Sequence, residues 1–273
     1  FVTLGCSRDW EEATPGGQES LQLLTFNIRY GTANDGEHAW PARKRLVAEV
    51  IERVNPDVLA IQEALDFQLD DLAVTLADYQ KIGVHRRGGS KGEFAGLYVR
   101  KSIPVFESGT FWLSETPDVV GSQSWDAALP RTAAFVKFRW DGNSICVIGT
   151  HFDHRGENAR NMSAQLILKR APKDMPVIVM GDFNAEEGDR PMAQFASSSY
   201  ESVVSGLIPE SKIGTFNGFK DPHGGSRIDH ILLFNPDSGQ RLEMRTAAIH
   251  DEKVGELFPS DHFPVSATFS FGE

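Results

Sequence analysis

Cysteine is nearly absent: Cys6 and Cys146 are the only two in 273 residues, too few for a disulfide framework or a cysteine-rich zinc site. No apolar stretch reaches the roughly 18 residues of a membrane-spanning helix. Positive charge is also scarce. The 27 Lys and Arg stand against 38 Asp and Glu, a net charge of −11 that argues against gripping nucleic acid through a broad basic face. What remains is ordinary for a folded chain. A hydrophobic share of 40% excludes disorder for the bulk of it. The length allows one large core or two small ones. From Leu21 onward there is no Ser/Pro/Gly linker, repeat or low-complexity tract, so a single α/β domain over residues 21–273 is the economical reading.

Residues 1–20 read differently. Leu4-Gly5-Cys6 resembles the end of a bacterial lipoprotein signal, with Thr3 where that signal usually carries leucine, and Pro15-Gly16-Gly17 marks a flexible tether. That reading expects a lipid on Cys6, membrane contact through it alone, and an exported or envelope protein. A chance cysteine at a frayed terminus accounts for the same residues and expects a cytoplasmic one.

Hydrophobic patterning supplies the elements. Residues 21–27 form a strand-like run, and Pro41 opens a helix with Leu46, Val47, Val50, Ile51 and Val54 on one face. Asn55-Pro56-Asp57 ends it before a short buried strand at 58–62, and Asp66 caps a second helix carrying Leu69, Leu72, Ala73 and Leu76. Strands are expected at 94–99, 103–111, 132–138, 144–151, 177–181, 212–216, 228–234, 242–249 and 265–271, with a helix at 158–170. This mixture without strict alternation predicts sheets packed face to face with helices outside.

Polar residues stand repeatedly at the ends of apolar strands, where a rigid scaffold fixes side chains for chemistry. Asn27 follows Leu23-Leu24-Thr25-Phe26, Glu63 follows residues 58–62, and His151 follows Ile145 to Thr150. Asp182 and Asn184 follow Val177 to Gly181, two residues apart and so on one face of an extended chain. Asp229 interrupts an apolar run, and Asp261-His262 precedes Phe263-Pro264-Val265. The oxygen donors Asn27, Glu63, Asp182, Asn184 and Asp261 suit a hard cation: Mg²⁺, Mn²⁺ or Ca²⁺. Histidines beside carboxylates supply acid and base. Together these describe phosphoester hydrolysis, in which charge on phosphoryl oxygens must be neutralised.

In this order Thr25-Phe26-Asn27-Ile28-Arg29, Gln62-Glu63, Gly149-Thr150-His151-Phe152-Asp153, Gly181-Asp182-Phe183-Asn184, Arg227-Ile228-Asp229-His230 and Ser260-Asp261-His262-Phe263-Pro264-Val265 resemble the endonuclease/exonuclease/phosphatase superfamily. Residues 111–117, 125–131 and Gly214-Thr215-Phe216-Asn217-Gly218-Phe219 are similar to a bacterial subgroup of undefined substrate. The resemblance implies a four-layer α/β sandwich of two mixed β-sheets. It makes Glu63 the principal metal ligand, with Asn27 and Asp261 near the metal. His262 becomes the general base, oriented by Asp229. Asp182 and Asn184 position water and phosphoryl oxygens, with Asp182 an alternative leaving-group acid, and His151 contacts phosphate or acts as acid. Glu93 matches a carboxylate partner of that histidine, and Arg131 a phosphate- or water-contacting arginine. The expected activity is metal-dependent phosphodiester hydrolysis. The alternatives are a phosphomonoesterase acting on an inositol phosphate or nucleotide, and a non-catalytic binding module. A monomer without tight duplex binding is expected.

Each residue also has an ordinary structural role open to it: a turn at Asn27, a cap at Glu63, a satisfied core histidine at His151, a pairing of Asp229 with Arg227 or His230, and an Asx turn at Asp182-Phe183-Asn184. Gly88-Gly89-Ser90-Lys91-Gly92 fits the serine-hydrolase pattern but lacks the strand before and helix after that the pattern needs. Its neighbours Arg86, Arg87 and Lys91 either draw an anionic substrate toward Glu93 or belong to a solvated loop. Asp153, His154 and His230 stand outside the expected core set.

Overall fold

The computed structural model describes residues 20–220 and 225–272; Cys6 and the expected tether up to residue 19 lie outside them. Strand β1 (Leu21–Asn27) leads into α1 (Trp40–Val54), then β2 (Val58–Ala64), α2 (Asp66–Asp71), β3 (Tyr79–Ile82) and β4 (Phe94–Arg100). The middle holds β5 (Val105–Trp112), β6 (Thr132–Trp140), β7 (Asn143–His151), α3 (Glu157–Arg170), β8 (Val177–Asp182) and α4 (Arg190–Ser197). Then come β9 (Tyr200–Ser202), α5 (Val203–Leu207), β10 (Asp229–Phe234), β11 (Leu242–Ile249) and β12 (Val265–Phe271). They make two six-stranded sheets, ordered β11-β12-β1-β2-β4-β3 and β5-β6-β7-β8-β10-β9.

Both sheets are mixed and covered on both faces, which explains why their central strands read as unbroken apolar runs. Leu21 and Leu23 of β1 join Val58 and Ala60 of β2 and Ile178 and Met180 of β8 in a core between the sheets. Leu24 and Phe26 turn the other way, onto Val47, Val50 and Ile51 of α1. In the second sheet Val177 and Val179 face outward onto Ala164 and Ile167 of α3. This is the expected helix–sheet–sheet–helix sandwich. The sheets approach so closely at Gly149 that a Cβ there would sit 2.6 Å from the Leu97 side chain.

Several local expectations are corrected. Leu65, not Asp66, occupies the cap of α2, and the Gln68 side chain reaches back to its backbone N–H at 3.1 Å. Residues 212–216 form isolated bridge positions at Ile213 and Phe216, the latter paired with His262, and not a continuous strand. At Gly214 the backbone of Gly225 comes so near that any side chain would collide with it, so this segment is a tight crossing, not a ladder. β3, α4, β9 and α5 carried no sequence expectation.

Candidate active site

The strand directions gather the singled-out residues at one end of the sandwich. β1, β2, β7 and β8 run toward that end as two parallel pairs, and β4, β6, β10 and β12 run away from it. C-terminal residues of the first group (Asn27, Glu63, His151, Asp182) therefore meet residues just before or at the start of the second (Glu93, Arg131, Asp229, Asp261, His262). Register finishes the placement: His151 pairs with Asp182 across β7 and β8, and Asp229 pairs with Asp182 across β10 and β8.

Backbone strain accompanies these positions. Glu63 sits at φ 64° in the irregular pairing of β2 with β4, Asn184 at φ 46° just after β8, and Arg29 at φ 60° after β1. Three non-glycine residues in the left-handed region around one cleft are the kind of strain that a fold retains for a site. Gly181 has a separate reason: at φ 151° a Cβ would lie 2.0 Å from the Thr150 carbonyl oxygen, so only glycine lets β8 deliver Asp182 beside β7.

The polar groups form one connected set. His262 Nδ1 lies 2.8 Å from Asp229 Oδ2, and both are buried. Asn27 Nδ2 donates to Glu63 Oε1 at 3.1 Å and to Asp182 Oδ2 at 3.0 Å, and lies 3.4 Å from His262 Nε2. Its Oδ1 accepts from the Arg29 N–H at 3.0 Å. Asn27, expected near the metal, thus holds Glu63 and Asp182 together through its nitrogen. Glu63 Oε2 accepts the Tyr30 N–H at 2.9 Å, so it is no cap for α2. Asp182 Oδ1 accepts the Asn184 N–H at 2.8 Å, an Asx turn that also serves the site. Asn184 Nδ2 donates to the Phe152 carbonyl at 3.1 Å.

Asp229 is placed by Thr215, whose Oγ1 accepts the N–H groups of Ile228 and Asp229 at 2.9 and 3.0 Å. Its proposed alternative partners are engaged elsewhere: Arg227 with the Ser211 carbonyl, and His230 with the Ala185 carbonyl at 2.9 Å. Asp261 is held through its backbone carbonyl, which accepts the N–H groups of Asn217 and Gly218 at 2.8 and 3.0 Å. Ser260 Oγ ties the same loop to the end of β1 through the Asn27 carbonyl at 2.7 Å. The Gly214–Phe219 motif is therefore a clamp on the segment that carries Asp261 and His262.

Burial and charge set the protonation states. Burial pushes the Asp182 carboxyl up, and neighbouring Asp229 adds to it against the pull of His262. Asp261 and Glu93 are raised mainly by burial too. Burial alone would lower His262, but Asp229, with Asp182 and Asp261 behind it, outweighs that and lifts the imidazole well above its ordinary value. His151 goes the other way: burial and then Arg131 keep it neutral. Arg131 Nη1 lies 2.9 and 3.1 Å from its two ring nitrogens, a proximity that disfavours a second positive charge on the ring.

Glu93 departs from its expected role. It pairs with Arg86 at 2.7 Å and approaches Arg131 at 3.9 Å, so Arg131 stands where contact with His151 was expected. A cleft of about 670 Å³ opens over the set, lined among others by Glu63, Arg131, Asp182, Asp261 and His262. The donors suit a divalent cation. Glu63, His151 and Asp182 bring one ligand atom each within 4.8 Å of one another, as do Asp182, Asp229 and His262. With Asp261 added, the set is rich in carboxylate oxygen, the donor chemistry of a hard divalent cation.

A family model described as Endonuclease/Exonuclease/phosphatase family matches residues 24–262, from β1 to this histidine. The chain belongs to that family. An endonuclease/exonuclease/phosphatase of Bacteroides vulgatus is 32% identical at a TM-score of 0.85, the match covering 93% of this chain and 100% of that one. A mannosyl-6-phosphatase of Bacteroides thetaiotaomicron is 31% identical at 0.83, over 92% of this chain and 100% of that one. Human nocturnin is 24% identical over 303 residues, 95% of this chain and 67% of its own length.

Sequence reasoning did not single out some residues that this family member places at the site. Asp153 is buried, lies 3.6 Å from Arg131 Nε and accepts the Arg155 and Gly156 N–H groups at 3.0 and 2.8 Å. The Asp-x-x-Gly spacing was its readable signal. His154, left outside the expected core set, lines the cleft and lies 3.1 Å from Arg131 Nη2. Arg29 pairs with Asp35 at 2.9 Å and with Asp261 at 3.4 Å. Arg43 of α1 is wholly buried and donates to the Ile28 and Pro259 carbonyls at 3.0 and 2.7 Å, joining the two loops that frame Asp261. A cationic side chain on a helix face carries no such signal in sequence.

Proposed function

We propose that the protein is a divalent-cation-dependent phosphoester hydrolase and that it takes phosphomonoesters of small molecules. The observation that carries the reading is the unbroken contact chain Asp229–His262–Asn27–Glu63 with Asp182 at its centre, buried beneath one open cleft. A binding module needs no such coupling of an oriented imidazole to a carboxylate cradle.

Residue roles follow from the contacts. Asp229 fixes the tautomer in which Nδ1 carries the proton, which leaves His262 Nε2 facing the cleft to accept a proton from water. Glu63, Asp182 and Asp261 would hold the cation, and Asn27 keeps Glu63 and Asp182 at a fixed separation. When bound, the cation neutralises charge on phosphoryl oxygens and offsets the carboxylates that hold His262 protonated. Arg131, His151 and Asn184 line the cleft and would face the phosphoryl oxygens.

The monoester reading is favoured over the diester first expected. A monoester carries more negative charge at phosphorus, and this cleft offers it the guanidinium groups of Arg29 and Arg131. The chain as a whole carries −11, which opposes an extended polyanion. The similarity to the mannosyl-6-phosphatase points the same way. Phosphate release from monoesters, against nitrophenol release from a diester, tests it with Mg²⁺ or Mn²⁺. The monoesters are expected to be preferred, and His262→Ala to lose at least ~10²-fold on them. A preference for the diester would reverse the substrate assignment.

A further inference from the structure

We infer that Arg86 and Glu93 form the leaving-group subsite and that they recognise adjacent hydroxyls, so that the alcohol released is a polyol such as a sugar. This rests on the hydrolase reading above and names the substrate class within it.

Position carries the first half. The polar contacts pass from one cleft residue to the next, outward from the base: His262 to Asp182 at 3.9 Å, Asp182 to His151 at 3.5 Å, His151 to Arg131 at 2.9 Å, Arg131 to Glu93 at 3.9 Å and Glu93 to Arg86 at 2.7 Å. Phosphoryl transfer places the attacking and leaving oxygens roughly in line on opposite sides of phosphorus. Water activated at His262 therefore sends the leaving oxygen toward the far end of this series. That end is Arg86 and Glu93, both of which line the cleft.

Chemistry carries the second half. A hydroxyl both donates and accepts, a carboxylate only accepts and a guanidinium only donates. A carboxylate and a guanidinium held side by side therefore match two neighbouring hydroxyls and offer little to an apolar leaving group. Arg86 Nη1 is engaged by Glu93, whereas its Nε is buried without a hydrogen-bond partner among the described residues. Neighbouring Arg87 and Lys91 are exposed, so of this loop's cations only Arg86 turns into the cleft.

The loop is also built to hold that pair. The Arg86 N–H donates to the Glu93 carbonyl at 3.0 Å, and the Arg86 carbonyl accepts from Trp112 Nε1 at 2.7 Å. His85 is buried, with Nδ1 2.9 Å from the Gly92 carbonyl and Nε2 2.6 Å from Asp66. Gly92, at φ 80°, packs against the Arg86 stem, where a Cβ would lie 3.1 Å from Cγ. A solvated loop needs none of these ties.

The test is steady-state kinetics with Mg²⁺ on mannose 6-phosphate and on 4-nitrophenyl phosphate, whose leaving group has no neighbouring hydroxyls. Wild type and Arg86→Ala are compared, with melting temperatures measured alongside. The expected result is a fall of at least ~10-fold in the ratio of kcat/KM on the sugar phosphate to that on the aryl phosphate, expressed mainly in KM. A ratio unchanged within twofold overturns the subsite, because Arg86 would then act on phosphate or fold alone. Should Arg86→Ala melt early, Arg86→Gln keeps the stem and one donor, and the same ratio decides. Wild-type turnover of the aryl ester with no preference for the sugar also overturns the subsite while leaving the hydrolase reading standing. No turnover of either ester overturns both.

Discussion

Replacing Asp229 by asparagine keeps the side chain's shape and removes its charge. In the wild type Oδ2 accepts from His262 Nδ1 at 2.8 Å and so leaves Nε2 free to accept. An asparagine that turns its amide nitrogen toward Nδ1 stabilises the other tautomer, with the proton on Nε2, and the base is lost. The expected drop in kcat is roughly 10²–10⁴, or about 3–5 kcal/mol of barrier. Stability should respond far less. Asp229 lies opposite Asp182 across β8 and β10, and burial makes that pair of carboxylates repel. Removing one charge relieves the repulsion and offsets the lost hydrogen bond, so the net change stays within about 2 kcal/mol. Steady-state kinetics with saturating Mg²⁺ and a thermal melt on the same preparation separate the two effects. A kcat within tenfold of wild type at an unchanged melting temperature would refute the role of Asp229 in orienting the base.

Other expectations concern fold and pH. Gly181→Ala forces a Cβ against the Thr150 carbonyl at 2.0 Å in a backbone region that side chains avoid, which should cost roughly 2–5 kcal/mol and lower the melting temperature by about 5–15 °C. A stable Gly181→Ala protein with full activity would contradict that packing. His230 is buried with Nδ1 unpartnered, and burial lowers its pKa. Below the unfolded value of about 6.5 the unfolded chain takes up a proton that the folded one refuses, so stability falls with decreasing pH by up to ~1.4 kcal/mol per unit. His151, His154 and His250 are shifted in the same direction, and His262 in the opposite one. The buried carboxyls of Asp182, Asp261 and Glu93, raised by burial, take up protons in the folded state and oppose this loss, so the contribution of His230 is read as a difference: in melts of cation-free protein between pH 7.5 and 5.5, His230→Gln should lose less stability toward acid than wild type. Equal slopes would rule out His230 as a contributor.

Much of the fold was readable because strands buried on both faces leave a plain record. Val58 to Ile61 and Val177 to Met180 are continuous apolar runs, and α1 announces itself through Pro41 and its apolar face. β3, with the sequence Tyr-Gln-Lys-Ile, is a short edge strand of mixed polarity and carries no such record. Residues 212–216 misled because their β-like composition serves a loop crossing, and backbone contacts with Gly225 and Ser226 are invisible to periodicity. The site followed the same rule. Asn27, Glu63, His151, Asp182 and Asp229 were legible as polar breaks at the ends of apolar strands. Arg29, Arg86, His154 and Asp153 sit in loops, where polar residues are ordinary and only tertiary contact distinguishes them. The partner of Glu93 was misassigned for that reason: Arg86 is seven residues away in sequence and reaches it only because the 85–93 loop closes back on itself.

The central claim is that the buried carboxylate–imidazole set works as a cation-dependent hydrolytic centre. Phosphate release from a phosphomonoester, measured on one preparation after chelation and again after Mg²⁺ is restored, for wild type and Glu63→Ala, tests this most directly. The account predicts no release after chelation, full recovery with Mg²⁺ in wild type, and at least ~10²-fold less in Glu63→Ala at the same cation concentration. Release that survives chelation, or that Glu63→Ala leaves intact, would contradict it.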